Sequence, residues 1–184
     1  KMSRFMADID ALAGYFHSLG IGKGDTVTVF LPTTVHAFAS FYALNKIGII
    51  ANIVHPLTSP EGLEECINSA KSKAVFILDI LAAPYADVIN KLGIPCIICS
   101  NSDYVGFPLT PAIKIFEKVK GKGLDRFKNS IKYTKVLSAG AGKECPEFHD
   151  GNCTAVYLHG GGTTGKSKTI MLSSDNINCL AEKL

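Results

Sequence analysis

Nine consecutive residues, Gly160 to Lys168 (GGGTTGKSK), hold four glycines, two threonines, two lysines and one serine. That mixture suits the capture of a phosphate tail. Glycine has no Cβ and tolerates positive φ, so successive backbone N–H groups can turn inward and form an anion-binding concavity. Thr163 and Thr164 can add hydroxyl donors, and Lys166 and Lys168 can neutralise phosphate charge. The β-prone run from Thr154 to His159 leads into the loop and would hang it from a sheet edge. An ordinary turn gives no reason for this density of glycine, threonine and lysine.

Two phosphate motifs overlap here. Gly160-x-x-x-x-Gly165-Lys166-Ser167 satisfies the Walker A pattern, in which Lys166 would reach the β and γ phosphates and Ser167 would bind magnesium. That reading needs a helix to begin at the Lys-Ser pair. Thr169-Ile170-Met171-Leu172 instead leans towards a strand, with Ser173 or Ser174 placed to start a helix about six residues later.

The second motif is a resemblance. Gly162-Thr163-Thr164-Gly165 with Lys168, followed by Met171-Leu172-Ser173-Ser174-Asp175-Asn176, resembles the signature of the adenylate-forming (AMP-binding) superfamily. Its members include acyl-CoA synthetases, luciferases and peptide-synthetase adenylation domains. Ser167 stands where that signature usually has Pro, Thr169 where it often has Gly, and Ser174 where it has His. Upstream, Leu19 to Pro32 is similar to the family's Gly-x-x-x-Gly-Asp-x-Val-x-x-x-x-Pro segment. Lys46 to Ala51 and Pro56 to Ala70 also fit. The resemblance covers residues 1–100 and 150–184.

The resemblance implies ATP-dependent activation of a carboxylate, giving an acyl-adenylate and pyrophosphate, then transfer to coenzyme A. ATP with Mg2+ would be bound, coenzyme A would be the co-substrate, and a small carboxylic acid the partner. Gly160, Gly161, Gly162, Thr163, Thr164, Gly165, Lys166, Ser167 and Lys168 would line the nucleotide site. Thr163, Thr164, Gly165 and Lys168 would be the principal contacts to the β and γ phosphates. The Gly-Gly-Thr-Thr-Gly variant resembles fatty-acyl ligases somewhat more than the others. The resemblance also implies that the catalytic residues lie beyond residue 184 and that these 184 residues alone have negligible ligase activity; helices expected to be under way near residue 2 and still running at Leu184 make both ends look cut. The alternatives are a Walker A NTPase and a non-catalytic nucleotide- or anion-binding module.

Other constellations are weaker. Cys145, His149, Cys153 and His159 are spaced by four, four and six, unusual for zinc, and read by default as thiols and a surface histidine. In the resembling family an aromatic near the His159 position sits beside the acyl site, which leaves His159 a minor binding role. Cys96-Ile-Ile-Cys99 has redox spacing but lies in an apolar run. His36 and His55 read as a helix-face and a strand-end residue. Phe38, Phe41 and Tyr42 read as helix packing. No Ser/His/Asp arrangement has supporting spacing.

Positioning the loop falls to an alternation of helices and strands. Phe5, Met6, Ile9, Leu12, Ala13, Phe16 and Leu19 recur at helical spacing from about residue 2. Strands are expected at Val27 to Leu31, Ile49 to Val54, Ala74 to Leu78 and Ile94 to Ser100. Helices are expected from Thr33 or Thr34 to about Ile47, after a Thr58/Glu61 capping box with Pro60 in the first turn, and from Ala82 to Leu92. This predicts an α/β layered fold with a mostly parallel β-sheet flanked by helices and right-handed crossovers. Residues 1–100 would be a βαβ lobe, 101–152 an irregular basic connecting region with helices near Pro111 to Lys120 and Leu124 to Lys128, and 153–184 the phosphate-loop segment.

Bulk properties fit. A chain of 184 residues with 47% hydrophobic and 19% charged residues can bury a core without disulfides. Net charge +3 gives no argument for nucleic acid. Eight basic residues between Lys114 and Lys135 are opposed only by Glu117 and Asp125. They read as a solvated face or as a rim attracting phosphorylated ligands or anionic lipid, and nothing else supports peripheral membrane contact. Six scattered cysteines suit a reduced cytoplasmic protein. Asp8 and Asp10 interrupt the opening segment where a secretory core would be apolar, and Asn45-Lys46 interrupts the most apolar stretch.

Overall fold

The computed structural model describes residues 2–105, 113, 123–160 and 168–181. Helix α1 (Met2–Ser18) is followed by strand β1 (Thr26–Phe30), helix α2 (Val35–Lys46), β2 (Ile50–Ile53), α3 (Pro60–Ala70) and β3 (Val75–Leu78). Short helices α4 (Asp79–Ala82) and α5 (Ala86–Leu92) lead to β4 (Cys96–Cys99). Then come β5 (Ser130–Lys132), α6 (Tyr133–Gly140), β6 (Thr154–Gly160), β7 (Lys168–Ser173) and α7 (Ser174–Ala181). The strands form one sheet in the order β5-β4-β3-β1-β2-β6-β7. All neighbours are parallel except β6 and β7, which form an antiparallel pair.

Every residue of β1, β3 and β4 is buried, because helices cover the sheet on both sides. Successive side chains point to opposite faces. Val27, Val29, Ala51, Phe76, Ile97 and Val156 therefore share one apolar cluster with Ile9, Leu12 and Phe16 of α1, Ala39, Ala43 and Leu44 of α2, and Tyr133 and Val136 of α6. Phe30, Val75, Ile77, Cys96 and Ile98 share the other with Leu63 and Ile67 of α3 and Ala86 and Ile89 of α5. Phe76 meets Phe16 edge-on, with ring centroids 5.8 Å apart. Burying one such side chain stabilises by about 2 kcal/mol.

Local chemistry sets the element ends. Thr34 caps α2, its hydroxyl accepting from Ala37 N at 3.4 Å. The cap of α3 is Ser59 and not Thr58: Ser59 Oγ accepts from Gly62 N at 3.2 Å, which puts Pro60 at the first helical position. The expected helix from Ala82 to Leu92 starts earlier, at Asp79, and tightens to a 3-10 turn over Ala83–Tyr85 around Pro84, whose ring removes a backbone donor. Gly140 is required by close approach: a Cβ there would strike the Ala11 carbonyl of α1.

The described part of residues 101–152 is more regular than expected. Asn101–Asp103 and Leu124–Arg126 are 3-10 turns, and β5 and α6 had not been anticipated. The expected basic helix near Pro111 to Lys120 lies outside the described residues. Among the described residues no helix is long and apolar enough to cross a membrane.

Candidate functional site

Strands β6 and β7 carry the two ends of the glycine-rich segment. Their register pairs Leu158 with Ile170, His159 with Thr169, and Gly160 with Lys168. Of the nine expected site residues, Gly160 and Lys168 are thus placed as the last paired positions, facing each other across the hairpin. Gly161, Gly162, Thr163, Thr164, Gly165, Lys166 and Ser167 lie outside the described residues. Gly160 continues β6 without crowding, since an added Cβ would come no closer than 3.9 Å to Ile170 Cδ1. Lys168 is exposed.

The Walker A alternative is corrected here. No helix springs from the Lys166-Ser167 pair: Lys168 already belongs to β7, and α7 starts at Ser174. The β-prone Thr169, Ile170 and Met171 pair with β6 instead. The helix start is a reciprocal one at Ser173. Its hydroxyl accepts from Asn176 N at 3.2 Å, and Asn176 Oδ1 accepts from Ser173 N at 3.0 Å.

Behind the hairpin neck runs a line of side-chain hydrogen bonds across four strands. His159 Nε2 lies 2.6 Å from Asn52 Oδ1 on β2. Asn52 Nδ2 donates to Thr28 Oγ1 on β1 at 3.0 Å and to the Cys66 carbonyl of α3 at 3.3 Å. Thr28 Oγ1 donates to Ser72 Oγ at 2.7 Å. At the outer end, Thr169 Oγ1 is 3.4 Å from His159 Nδ1. Thr28 and Asn52 are fully buried. Burial also pushes the His159 imidazole below its ordinary pKa, which favours the neutral ring. A cavity of about 330 Å³ opens above the neck, with His55, Thr58, Glu65, Ser69, His159 and Thr169 in its wall. Asn52 was missed from sequence; its one signal is a lone polar side chain in the apolar run Ile49 to Val54.

The remaining sequence candidates disperse. His149 Nε2 meets Glu147 Oε2 at 3.2 Å, Cys153 Sγ meets Asp150 Oδ2 at 3.1 Å, Cys145 packs against the core, and His159 turns to Asn52. Among the described residues no three His, Cys, Asp or Glu side chains converge as metal ligands. Cys96 and Cys99 are buried on opposite faces of the sheet, and burial pushes both thiols up, contrary to a redox pair. His36 is a buried helix-face residue. Its Nε2 is 3.1 Å from Asp103 Oδ2, and the Tyr104 and Tyr133 rings stand edge-on at 4.7 Å. His55 was expected at a strand end and lies two residues beyond β2, with Nδ1 accepting from Leu57 N at 3.2 Å. Phe41 packs against the core, whereas Phe38 and Tyr42 are about half exposed.

The sheet is thus parallel up to β6, and only its last strand, β7, runs antiparallel after the glycine-rich segment. The model of the AMP-binding enzyme family matches residues 3–184, and the chain belongs to that family. It is 30% identical over 181 residues to a long-chain-fatty-acid–CoA ligase of Bacillus subtilis, a match covering 94% of this chain and 31% of that protein. It is 28% identical to a 3-hydroxypropionyl-coenzyme A synthetase of Metallosphaera sedula, covering 91% of this chain and 24% of that one. The chain thus spans about a third or less of these relatives' length. Among solved structures, MatB from Rhodopseudomonas palustris superposes with a TM-score of 0.71 at 20% identity, covering 99% of this chain and 31% of that one. A long-chain-fatty-acid-CoA ligase from Archaeoglobus fulgidus gives 0.71 at 19% identity, covering 100% and 32%. These two likenesses bear on the fold.

Proposed function

We propose that this chain carries the ATP-phosphate-binding part of an AMP-forming acid–CoA ligase. A carboxylate oxygen attacks the α-phosphorus of ATP, the bond to the β-phosphate breaks, and pyrophosphate leaves with its electron pair. The CoA thiolate then attacks the acyl carbon and AMP departs. Such chemistry asks the protein mainly for positioning and charge neutralisation. The observation that carries the reading is the Gly160 to Lys168 segment strung between antiparallel β6 and β7, with a strand and not a helix following it. Family membership and two relatives named as CoA ligases or synthetases support it.

In this reading Thr163, Thr164, Gly165 and Lys168 hold the β and γ phosphates, with Gly160, Gly161, Gly162, Lys166 and Ser167 completing the cradle. Lys168, exposed at the hairpin neck, would supply positive charge to the leaving pyrophosphate. Magnesium would accompany ATP, but among the described residues no acidic ligand set converges, and no step is assigned to it. The substrate is a small-molecule carboxylic acid, a fatty acid being the first to test. The site works with the rest of the same polypeptide, in the cytoplasm.

The test is carboxylate-dependent exchange of labelled pyrophosphate into ATP by the full-length protein. Lys168→Met is expected to lower kcat/KM for ATP by about 100-fold, the usual consequence of removing one charge-stabilising group. Release of ADP and phosphate in place of AMP and pyrophosphate would sink the reading in favour of an NTPase. Tight nucleotide binding with no exchange would favour a binding module. The 184 residues alone are expected to form no acyl-CoA.

A further inference from the structure

We propose that Asn52 and His159 are positioning residues that lock the neck of the phosphate loop, with the imidazole held as its Nε2–H tautomer. This inference rests on the ligase reading above.

The polarity of the hydrogen-bond line decides the tautomer. Asn52 Nδ2 faces two acceptors, the Thr28 hydroxyl oxygen at 3.0 Å and the Cys66 carbonyl at 3.3 Å. The opposite amide assignment would set the Asn52 oxygen against the Cys66 carbonyl oxygen. Asn52 Oδ1 therefore points at His159 and can only accept, so His159 Nε2 donates across 2.6 Å. In the neutral ring Nδ1 is then an acceptor, and the Thr169 hydroxyl at 3.4 Å is placed to donate to it. Thr28 passes its own proton on to Ser72 Oγ at 2.7 Å. Every bond from β7 to Ser72, in the turn after α3, has one direction.

The consequence falls on the loop. Residues 161–167 are attached at Gly160 and Lys168, and the His159–Thr169 pair is the next rung inward. A rung fastened to β2 and β1 through Asn52 fixes both attachment points against the central sheet. Fixed attachment points lower the entropy cost of ordering a phosphate-binding segment. Among the described residues, the titratable and charged groups around His159 are His55 after β2, Glu65 and Cys66 of α3, and Lys168 of β7. His55 Nδ1 is engaged by Leu57 N, and Glu65 is exposed.

The experiment uses the full-length protein. In nitrogen NMR of the unliganded wild type, His159 is expected to show a protonated Nε2 and an unprotonated Nδ1. A protonated Nδ1 in the neutral ring overturns the proposal and leaves the ligase reading intact. Thr169→Val, at an exposed strand position, is expected to raise KM for ATP about fivefold, the worth of one hydrogen bond. KM for the carboxylate and kcat should stay within about twofold. Asn52→Leu should do the same and let the ring take either tautomer. An ATP KM unmoved by Thr169→Val and Asn52→Leu overturns the proposal. Failure of the wild type to bind ATP, with the tautomer as expected, instead overturns the function on which it rests.

Discussion

Towards α1, α2 and α6 the strands present Val27, Val29, Ala51, Phe76 and Val156, all apolar and buried. Towards α3 and α5 the same strands change character along the sheet. Val75, Ile77, Cys96 and Ile98 are apolar, but Thr28, Asn52 and His159 take over as the sheet approaches the hairpin. The difference is one of direction. Apolar burial is roughly proportional to area and indifferent to orientation. A hydrogen bond weakens steeply off axis, and a buried donor left without a partner is costly. One face therefore supplies cohesion, and the hairpin end of the other supplies aim.

The comparison can be broken most strongly on the apolar face. Phe76→Ala leaves a cavity beside Phe16, and urea denaturation should show a loss of about 4 kcal/mol. On the directional face, Thr28→Val takes an acceptor from Asn52 and a donor from Ser72. About 2 kcal/mol should be lost, although the volume hardly changes. A Thr28→Val protein as stable as the parent would mean that the polar line carries no directional weight. The smallest effect sharpens the boundary of α3, which covers that line: Ser59→Ala should cost about 1 kcal/mol and Thr58→Ala a few tenths. Equal losses at the two positions would restore the capping box centred on Thr58.

Acidity adds a comparison between conditions. Because burial depresses the His159 pKa in the folded chain, the unfolded chain takes up its proton first as pH falls. The neutral ring's contribution is thus fully present above the unfolded value and is lost as pH drops through the folded one. His159→Gln should flatten that limb of the stability profile as pH falls below the ordinary histidine value of about 6.5. A limb unchanged by the substitution would assign it to another group.

Much of the first hundred residues was legible because β-branched runs alternate with helical spacing and turn residues stand between them. The Ser59 cap was misplaced by one residue because Thr58 and Ser59 are both capable caps. Only the Ser59 oxygen reaches a free helix N–H. The strand Ser130–Lys132 was missed because three residues, two of them exposed, carry no period. That a strand and not a helix follows the glycine-rich segment was legible from its β-prone exit, whereas the antiparallel pairing of that strand carried no sequence signal. The Thr28–Asn52–His159–Thr169 line was not legible. Its members are scattered along the chain, and only the register of four strands makes them neighbours.

Cys96 and Cys99, three positions apart in one strand, lie on opposite sides of the sheet. Each is sealed by a different set of helices, so the pair forms a built-in gauge of how the domain comes apart. Under sparing denaturant, a labelling reagent that modifies Cys96 first reports that α3 and α5 have lifted away. Modification of Cys99 first reports that α1, α2 or α6 has gone. The order of alkylation, read by mass spectrometry, would map the sequence of opening without any engineered probe.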